Sequence, residues 1–495
     1  MSPSGAHPIL TCAETAALEE RLFAGDESAE WRAMQMAGTA VARGLLQDFR
    51  ELGEFPSLGR GVVIAGKGHN GGDALLAAGC ILEQHPDARV DVMLVYGQRQ
   101  LRPLALRAWQ LLQTKQAKRV RLVTLHSLGD HYDFCLDGLF GFQFHPPLDG
   151  RSVAALQKIN ALPIKLRAAV DLPSGGEDSA AFRADFTYAT GVVKQPLLAL
   201  PHAGRLRYLD LGFFPDGGSF TASDKVLTSE ILQPLRTWRD PHTEKRRQGH
   251  LFVVAGSRDY PGAALMTVTA ALRSGAGLVS AFVPESLISA FAAQVPEAIW
   301  VGMPETPDGG LALEGHHLLK KRLARASALV LGPGLGCEAE TMALAADIVK
   351  SSTLPLLVDA DALQPEIISG AHCPLVLTPH AGEFARIAGK QDLRVFAKKS
   401  NATVVLKGPV TRICAGKEIH HSFFGGPVLA RGGSGDLLAG IIGSQLALSP
   451  EDTLAAACRG VVWHGRAADA LAQAHGSVAV RTTQLLDFLG PALRL

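Results

Sequence analysis

The stretch Gly61-Val62-Val63-Ile64-Ala65-Gly66-Lys67-Gly68-His69-Asn70-Gly71-Gly72-Asp73-Ala74-Leu75-Leu76-Ala77-Ala78-Gly79 sets the class of the whole chain. Its first five residues form a short, largely β-branched apolar run, and its end is Ala/Leu-rich with helical spacing. Between them glycines at 66, 68 and 71 satisfy G-x-G-x-x-G. Such a strand, glycine turn and helix can hold a phosphate. Glycines let free backbone N–H groups turn toward one point, and the helix N-terminus adds partial positive charge. The alternative is a plain strand-to-helix turn with Asp73 capping a helix over 73–84. An NAD-dehydrogenase unit would also need an acidic residue ending the next strand. There the chain reads Val95-Tyr96-Gly97, with Asp91 near the strand's start, which counts against that activity.

Outward from this segment, short apolar runs alternate with helical stretches, the pattern of parallel sheets covered by helices, so an α/β fold is expected. Strands are expected at 61–65, 90–95, 134–136 and 168–171, with helices at 73–84 and 103–116. In the second half strands are expected at 251–255, 278–283, 328–331, 355–359, 375–377 and 403–406. Between residues 213 and 249 polar residues, prolines and the cluster TEKRRQGH break the alternation. A domain boundary is placed there, giving domains 1–225 and 226–495.

The 495 residues suffice for two or three domains. Forty-eight basic residues against 47 acidic leave a net charge of +1, so no nucleic-acid or membrane-surface partner is expected. No apolar run approaches a bilayer span, and the first ten residues lack the pattern of a signal peptide; a cytoplasmic protein is the expectation. The seven cysteines are scattered without CxxC spacing, which argues against disulfide frameworks and structural zinc.

Two further strand ends point to the edge carrying the glycine loop: Asp137-Gly138-Leu139-Phe140-Gly141 and Asp171-Leu172-Pro173-Ser174. Ligands of open parallel sheets collect at the carboxyl ends of strands. Asn70, Asp137, Asp171 and Ser174 can therefore converge, offering oxygen ligands for a hard cation and a carboxylate for proton transfer.

In the second half, Gly432-Gly433-Ser434-Gly435-Asp436 precedes an apolar Ala/Gly-rich helix. Its N–H groups would form an anion hole, with Asp436 placed to take a proton from an attacking hydroxyl, the arrangement of a hydroxyl-directed phosphotransferase. The plainer alternative makes Asp436 a helix cap. Lys407-Gly408-Pro409-Val410-Thr411 reads as a turn at the nucleotide edge. His380 reads as a buried, hydrogen-bonded histidine. Asp359 and Glu383 are candidates to hold magnesium through water.

The segments Met34-Gln35-Met36-Ala37-Gly38, Asn70-Gly71-Gly72-Asp73, Leu136-Asp137-Gly138-Leu139-Phe140-Gly141 and Asp171-Leu172-Pro173-Ser174-Gly175 resemble the epimerase half of the bifunctional NAD(P)H-hydrate repair enzymes. GPGLG (331–336 with its preceding Leu), DADAL, TPHAGEF, KGPVT and GGSGDLLAG resemble, in order, the ADP-dependent dehydratase half. The resemblance implies a Rossmann-like three-layer α/β/α domain followed by a ribokinase-like α/β domain. It also implies that His69, Asn70, Gly71, Gly72, Asp73 and Gly141 bind the hydrated nucleotide, that Asn70, Asp137 and Ser174 hold potassium, and that Asp171 is the acid/base of R/S interconversion. In the second domain it implies Ala263, Gly336 and His380 at the substrate, Lys407 to Thr411 (through Gly408, Pro409 and Val410) and Gly435 at the adenine nucleotide, and Asp436 as catalytic base. Substrates would be NADHX and NADPHX, with ADP as co-substrate, magnesium in the dehydratase and a homo-oligomeric assembly. His69, Phe142 and Gln143 depart from the family pattern, where Asn and Gly-Thr-Gly are usual, and Arg431 replaces a frequent Thr. A vitamin or sugar kinase, with a non-catalytic nucleotide-binding first domain, is the alternative function.

Overall fold

A computed structural model describes residues 5–215 and 222–494. The chain divides into two compact units, one of His7–Ala222 with Gln473–Gly476, the other built on Ser223–Ala472 and Ser477–Leu495. The expected boundary segment includes the strand Asp224–Leu227 and the 3-10 turn Ser229–Arg236; its residues 216–221 lie outside the described ones.

The N-terminal unit carries a seven-stranded sheet, parallel throughout. Its order is Val120–Leu122, Arg89–Leu94, Arg60–Ala65, Tyr132–Gly138, Ile164–Val170, Phe186–Thr190 and Arg205–Leu209. Numbered along the chain this order is 3-2-1-4-5-6-7, so the winding reverses between Arg60–Ala65 and Tyr132–Gly138. The loops leaving those two strands therefore diverge to opposite faces and open a crevice at the carboxyl edge. Strand interiors such as Val62, Val63 and Ile64 are fully buried on both faces, as the unbroken apolar runs require. The helices Glu27–Phe49, His69–Gln84 and Pro103–Gln116 supply one cover, with Trp31, Leu75, Ile81 and Trp109 in its core; Gly150–Ala161 packs in a second cluster with Val62 and Ile64.

The C-terminal unit repeats the same logic. Its strands run Ile299–Met303, Leu278–Pro284, His250–Val254, Ala328–Leu331, Leu356–Val358, Leu375–Leu377 and Ala402–Leu406, all parallel. The hairpin of Thr411–Ala415 and Glu418–Ser422 then adds antiparallel strands. Its reversal lies between His250–Val254 and Ala328–Leu331. The helix Ser434–Leu448 is buried nearly all round, which explains a sequence apolar on every face. It crosses Pro261–Arg273 so closely that a Cβ at Gly440 would sit 2.2 Å from the Thr267 carbonyl oxygen.

Three local expectations are corrected. The helix expected over 73–84 starts at His69, capped by Gly68, and not at Asp73, which lies inside it and caps nothing. Apolar residues on both sides of the HNGGD core let the helix run through glycines that sequence assigns to the loop. The strand expected to end at Asp171 ends at Val170, because Asp171 takes φ +67° and turns the chain. Strands Phe186–Thr190, Arg205–Leu209 and Glu418–Ser422 were not anticipated.

Candidate active sites

The N-terminal crevice holds a cavity of about 420 Å³ lined by, among others, Gly68, His69, Asn70, Asp73, Gly141 and Asp171. The glycine turn is tight for a specific reason: the Gly66 N–H donates to the Gly138 oxygen at 3.0 Å, and a Cβ on Gly66 would fall 1.9 Å from the Leu139 oxygen. That approach locks the two loops leaving the reversal point against each other.

Asp137, Ser174 and Asn70 meet beneath the cavity. The Asp137 carboxylate is fully buried and accepts from Ser174 Oγ (2.7 Å), Ser174 N (2.8 Å) and Leu139 N (3.2 Å). Burial pushes its pKa up to about 6 against these hydrogen bonds. Asn70 Nδ2 donates to the Phe140 oxygen at 2.7 Å, and the Phe140 N–H donates to Ser174 Oγ at 2.8 Å. The cluster is thus a buried carboxylate with amide, carbonyl and hydroxyl oxygens around it, a donor set suited to a hard cation.

Asp171 sits in a strained left-handed conformation that non-glycine residues seldom adopt, a form of strain that concentrates at functional positions. Its Oδ2 accepts from the Phe142 N–H at 3.2 Å, and its Oδ1 is paired with Lys194. Lys194 is almost wholly buried; its short strand Val193–Lys194 pairs in parallel with Ala6–Leu10. Its Nζ also donates to the Thr190 oxygen at 3.3 Å and lies 5.4 Å from the Phe142 ring centre. The departure at Phe142 therefore lends its backbone N–H to Asp171 and its ring to Lys194, while Gln143 lines the cavity wall. Asp73 and Glu19 complete this end. Burial raises the Asp73 carboxyl well above its usual range and Glu19 to about 7, with Asp171 adding in both cases. The sequence did not single out Lys194 or Glu19. A lysine closing the apolar run Val192-Val193 was the one available signal.

His69 is exposed at the rim, its Nε2 3.7 Å from Glu30; partial desolvation by the surrounding protein lowers its pKa, with Glu30 opposing. Gly71 and Gly72 are buried within the helix's first turn.

In the C-terminal unit two strand ends, followed by Asp359 and Lys407, meet the first turns of two helices, which carry Glu383 and Asp436. Lys407 Nζ is 3.0 Å from Asp359 Oδ1 and 3.9 Å from Glu383 Oε2. Thr378 Oγ1 donates to the same Asp359 oxygen at 2.7 Å. A Cβ on Gly435 would lie 3.3 Å from Lys407 Nζ, which puts the glycine-serine turn directly against the ion pair. That turn has Gly433 at φ +88° and starts the helix at Ser434, so Asp436 is its third residue. Gly433 is the cap; Asp436 is not, and its carboxylate accepts no hydrogen bond among the described residues. Burial, then Asp359, raise the Asp436 pKa to about 6, with Lys407 opposing. A half-buried carboxylate without partners, on a helix N-terminus, is equipped to accept a proton.

Lys407, Gly408, Pro409 and Val410 form the expected turn, with Thr411 opening the next strand. Ala263 and Gly336 flank the crevice at this unit's reversal point: the helix Pro261–Arg273 begins two residues before Ala263, and the Gly336 N–H donates to Asp361 Oδ2 at 3.0 Å. His380 corrects the expectation of a buried ring. It is exposed and caps the helix Ala381–Ala388, its Nδ1 accepting from the N–H groups of Gly382 and Glu383, while its Nε2 lies 3.5 Å from Glu383 Oε1. Arg431 donates to the carbonyls of Ser477, Val478 and Val480, tying the turn to a loop.

The chain matches the NAD(P)H-hydrate dehydratase family over residues 251–490 and the YjeF-related protein N-terminus family over residues 31–196. It is 34% identical to a bifunctional NAD(P)H-hydrate repair enzyme of Thermosynechococcus vestitus, covering 98% of this chain and 97% of that one. It is likewise 34% identical to the enzyme of that name from Gloeobacter violaceus, covering 100% and 99%. Among solved structures, an ADP/ATP-dependent NAD(P)H-hydrate dehydratase from Bacillus subtilis, co-crystallised with ATP and Mg²⁺, is 29% identical with a TM-score of 0.46, covering 54% of this chain and 96% of that one.

Proposed function

The chain belongs to the family of bifunctional NAD(P)H-hydrate repair enzymes, and from that premise we propose that the N-terminal unit interconverts the R and S hydrates while the C-terminal unit dehydrates the S form at the expense of ADP. The observation that carries this assignment is Asp436, free of hydrogen-bond partners and raised to about 6 beside the Lys407–Asp359 pair.

A ring hydroxyl is a poor leaving group, and phosphorylation makes it a good one. Asp436 removes the hydroxyl proton, the oxygen attacks the β-phosphorus of ADP, and AMP leaves with the bridging electron pair. N–H groups of the turn at 434–436 and the Lys407 ammonium stabilise charge on the transferring phosphoryl group. The ring nitrogen's lone pair then expels phosphate, and loss of the neighbouring carbon's proton restores NADH or NADPH. Ala263, Gly336 and His380 hold the hydrated nicotinamide nucleotide; Lys407 to Thr411 and Gly435 hold the adenine nucleotide. Asp359 and Glu383, already engaged by Lys407, fit magnesium through water and not directly; bound there it would neutralise phosphoryl charge.

In the N-terminal unit the loop from His69 to Asp73 and the loop from Gly141 hold the hydrate, and Asp171 accepts its hydroxyl proton. The oxygen-rich cluster of Asn70, Asp137 and Ser174 fits potassium, which would supply fixed positive charge under the substrate. A cytoplasmic location and assembly of copies belong to the same assignment. It is consistent with a near-neutral chain and with no helix among the described residues long and apolar enough to cross a membrane.

The test uses the full chain in two assays. Without nucleotide, mixed hydrates should show R/S exchange by NMR. With S-hydrate, ADP and magnesium, reduced nicotinamide, AMP and phosphate should form. A stable phosphorylated product would point to a kinase instead.

A further inference from the structure

Interconverting two epimers at a carbon bearing a hydroxyl and a ring nitrogen by opening the ring takes a proton from the hydroxyl and gives one to the nitrogen. Asp171 serves one half. Both of its oxygens already accept hydrogen bonds, Oδ1 from the Lys194 ammonium and Oδ2 from the Phe142 N–H, so the second proton comes from another group. Resting on the epimerase assignment above, we propose that Lys194 is the proton donor of that reaction.

Lys194 is 2% exposed and Asp171 5%, yet both line the cavity, so what little of them is free faces the substrate space. An ammonium has three N–H donors. One goes to Asp171 Oδ1 and one to the Thr190 oxygen, which leaves the third for a ligand. A buried lysine is costly unless paired; Asp171, on a strained backbone, is the one carboxylate among the described residues in hydrogen-bond contact with it, while Glu19 and Asp73 act on it from further off. Phe142 lies along its flank and limits water there.

The step balances without any co-reactant. Asp171 takes the hydroxyl proton; the oxygen's electron pair forms C=O as the carbon–nitrogen bond breaks. The pair left on nitrogen takes a proton from Lys194, giving a ring-opened aldehyde. Rotation about the adjoining carbon–carbon bond presents the other face, and the reverse steps close the opposite epimer. The direct Asp171–Lys194 hydrogen bond lets the proton gained by one return to the other, so the site resets itself.

A purely electrostatic lysine and a proton donor are separated by substitution. Arginine keeps the charge but does not give up its proton. R/S exchange by the full chain, in the absence of nucleotide, is measured for Lys194→Arg and Lys194→Met, with KM for the hydrates and near-ultraviolet circular dichroism reporting a folded N-terminal unit and dehydration of S-hydrate reporting an intact second unit. Both variants are expected to lose about 100-fold or more in kcat with KM changed by less than about threefold, while dehydration persists. Retention of kcat within about threefold by Lys194→Arg would overturn the donor role and leave a positioning charge. No exchange by the unaltered chain would overturn the epimerase assignment itself, and the donor role with it.

Discussion

Lys407 Nζ stands 3.0 Å from Asp359 Oδ1, and this ion pair forms the floor on which the glycine-serine turn and Asp436 rest. Asp359 is almost completely buried, and Lys407 is its ion-pair partner. The two neighbours act oppositely on Asp436: Asp359 raises its pKa and Lys407 lowers it.

Lys407→Met should therefore do two things. It leaves a buried carboxylate unpaired, at a cost of about 3 kcal/mol of stability, measurable by urea denaturation. It also removes the influence that holds the Asp436 pKa down. A general base works deprotonated, so dehydratase kcat/KM should fall as pH drops through about 6 in the unaltered chain. In the variant that acid limb should move to higher pH. A limb that stays in place would show that the titrating group is not Asp436.

Gly66→Ala places a Cβ 1.9 Å from the Leu139 oxygen, a backbone atom that cannot yield without moving the loop that leads to Gly141. R/S exchange should drop by more than tenfold, while dehydration, carried by the other unit, should remain within about twofold.

Asp137→Asn exchanges an oxygen that accepts from Ser174 N for a group that donates toward it, or does the same toward Ser174 Oγ and Leu139 N. Either orientation opposes donor to donor in a buried site. A loss of about 2 kcal/mol is expected, together with loss of any stimulation of R/S exchange by potassium over lithium. Stimulation undiminished in a folded variant would remove Asp137 from the cation site.

The architecture was legible where the sequence is locally redundant. At 61–79 an apolar run, three spaced glycines and an Ala/Leu-rich helix each point to the same strand-turn-helix unit, and the structure supplies it. The GGSGD turn was equally plain because three glycines, an apolar helix and a carboxylate coincide. Arg205–Leu209 was not legible. Its alternating arginines look solvent-facing, but Arg205 pairs with Glu51 and Arg207 with Asp48 on a distant helix, so its strand character is a tertiary effect. Glu418–Ser422 hides in the same way behind two buried histidines. Asp171 could be named from its motif, whereas Lys194 could not. Their pairing spans 23 residues and depends on a turn at positive φ that no composition rule announces.

The most direct measurement follows the return of reduced nicotinamide absorbance when S-hydrate, ADP and magnesium are mixed with the full chain and with its Asp436→Asn variant. The unaltered chain should restore it with AMP and phosphate in equal amounts. The variant should be slower by about 100- to 10,000-fold while nucleotide affinity changes little. A variant within about threefold of the unaltered rate would contradict the account.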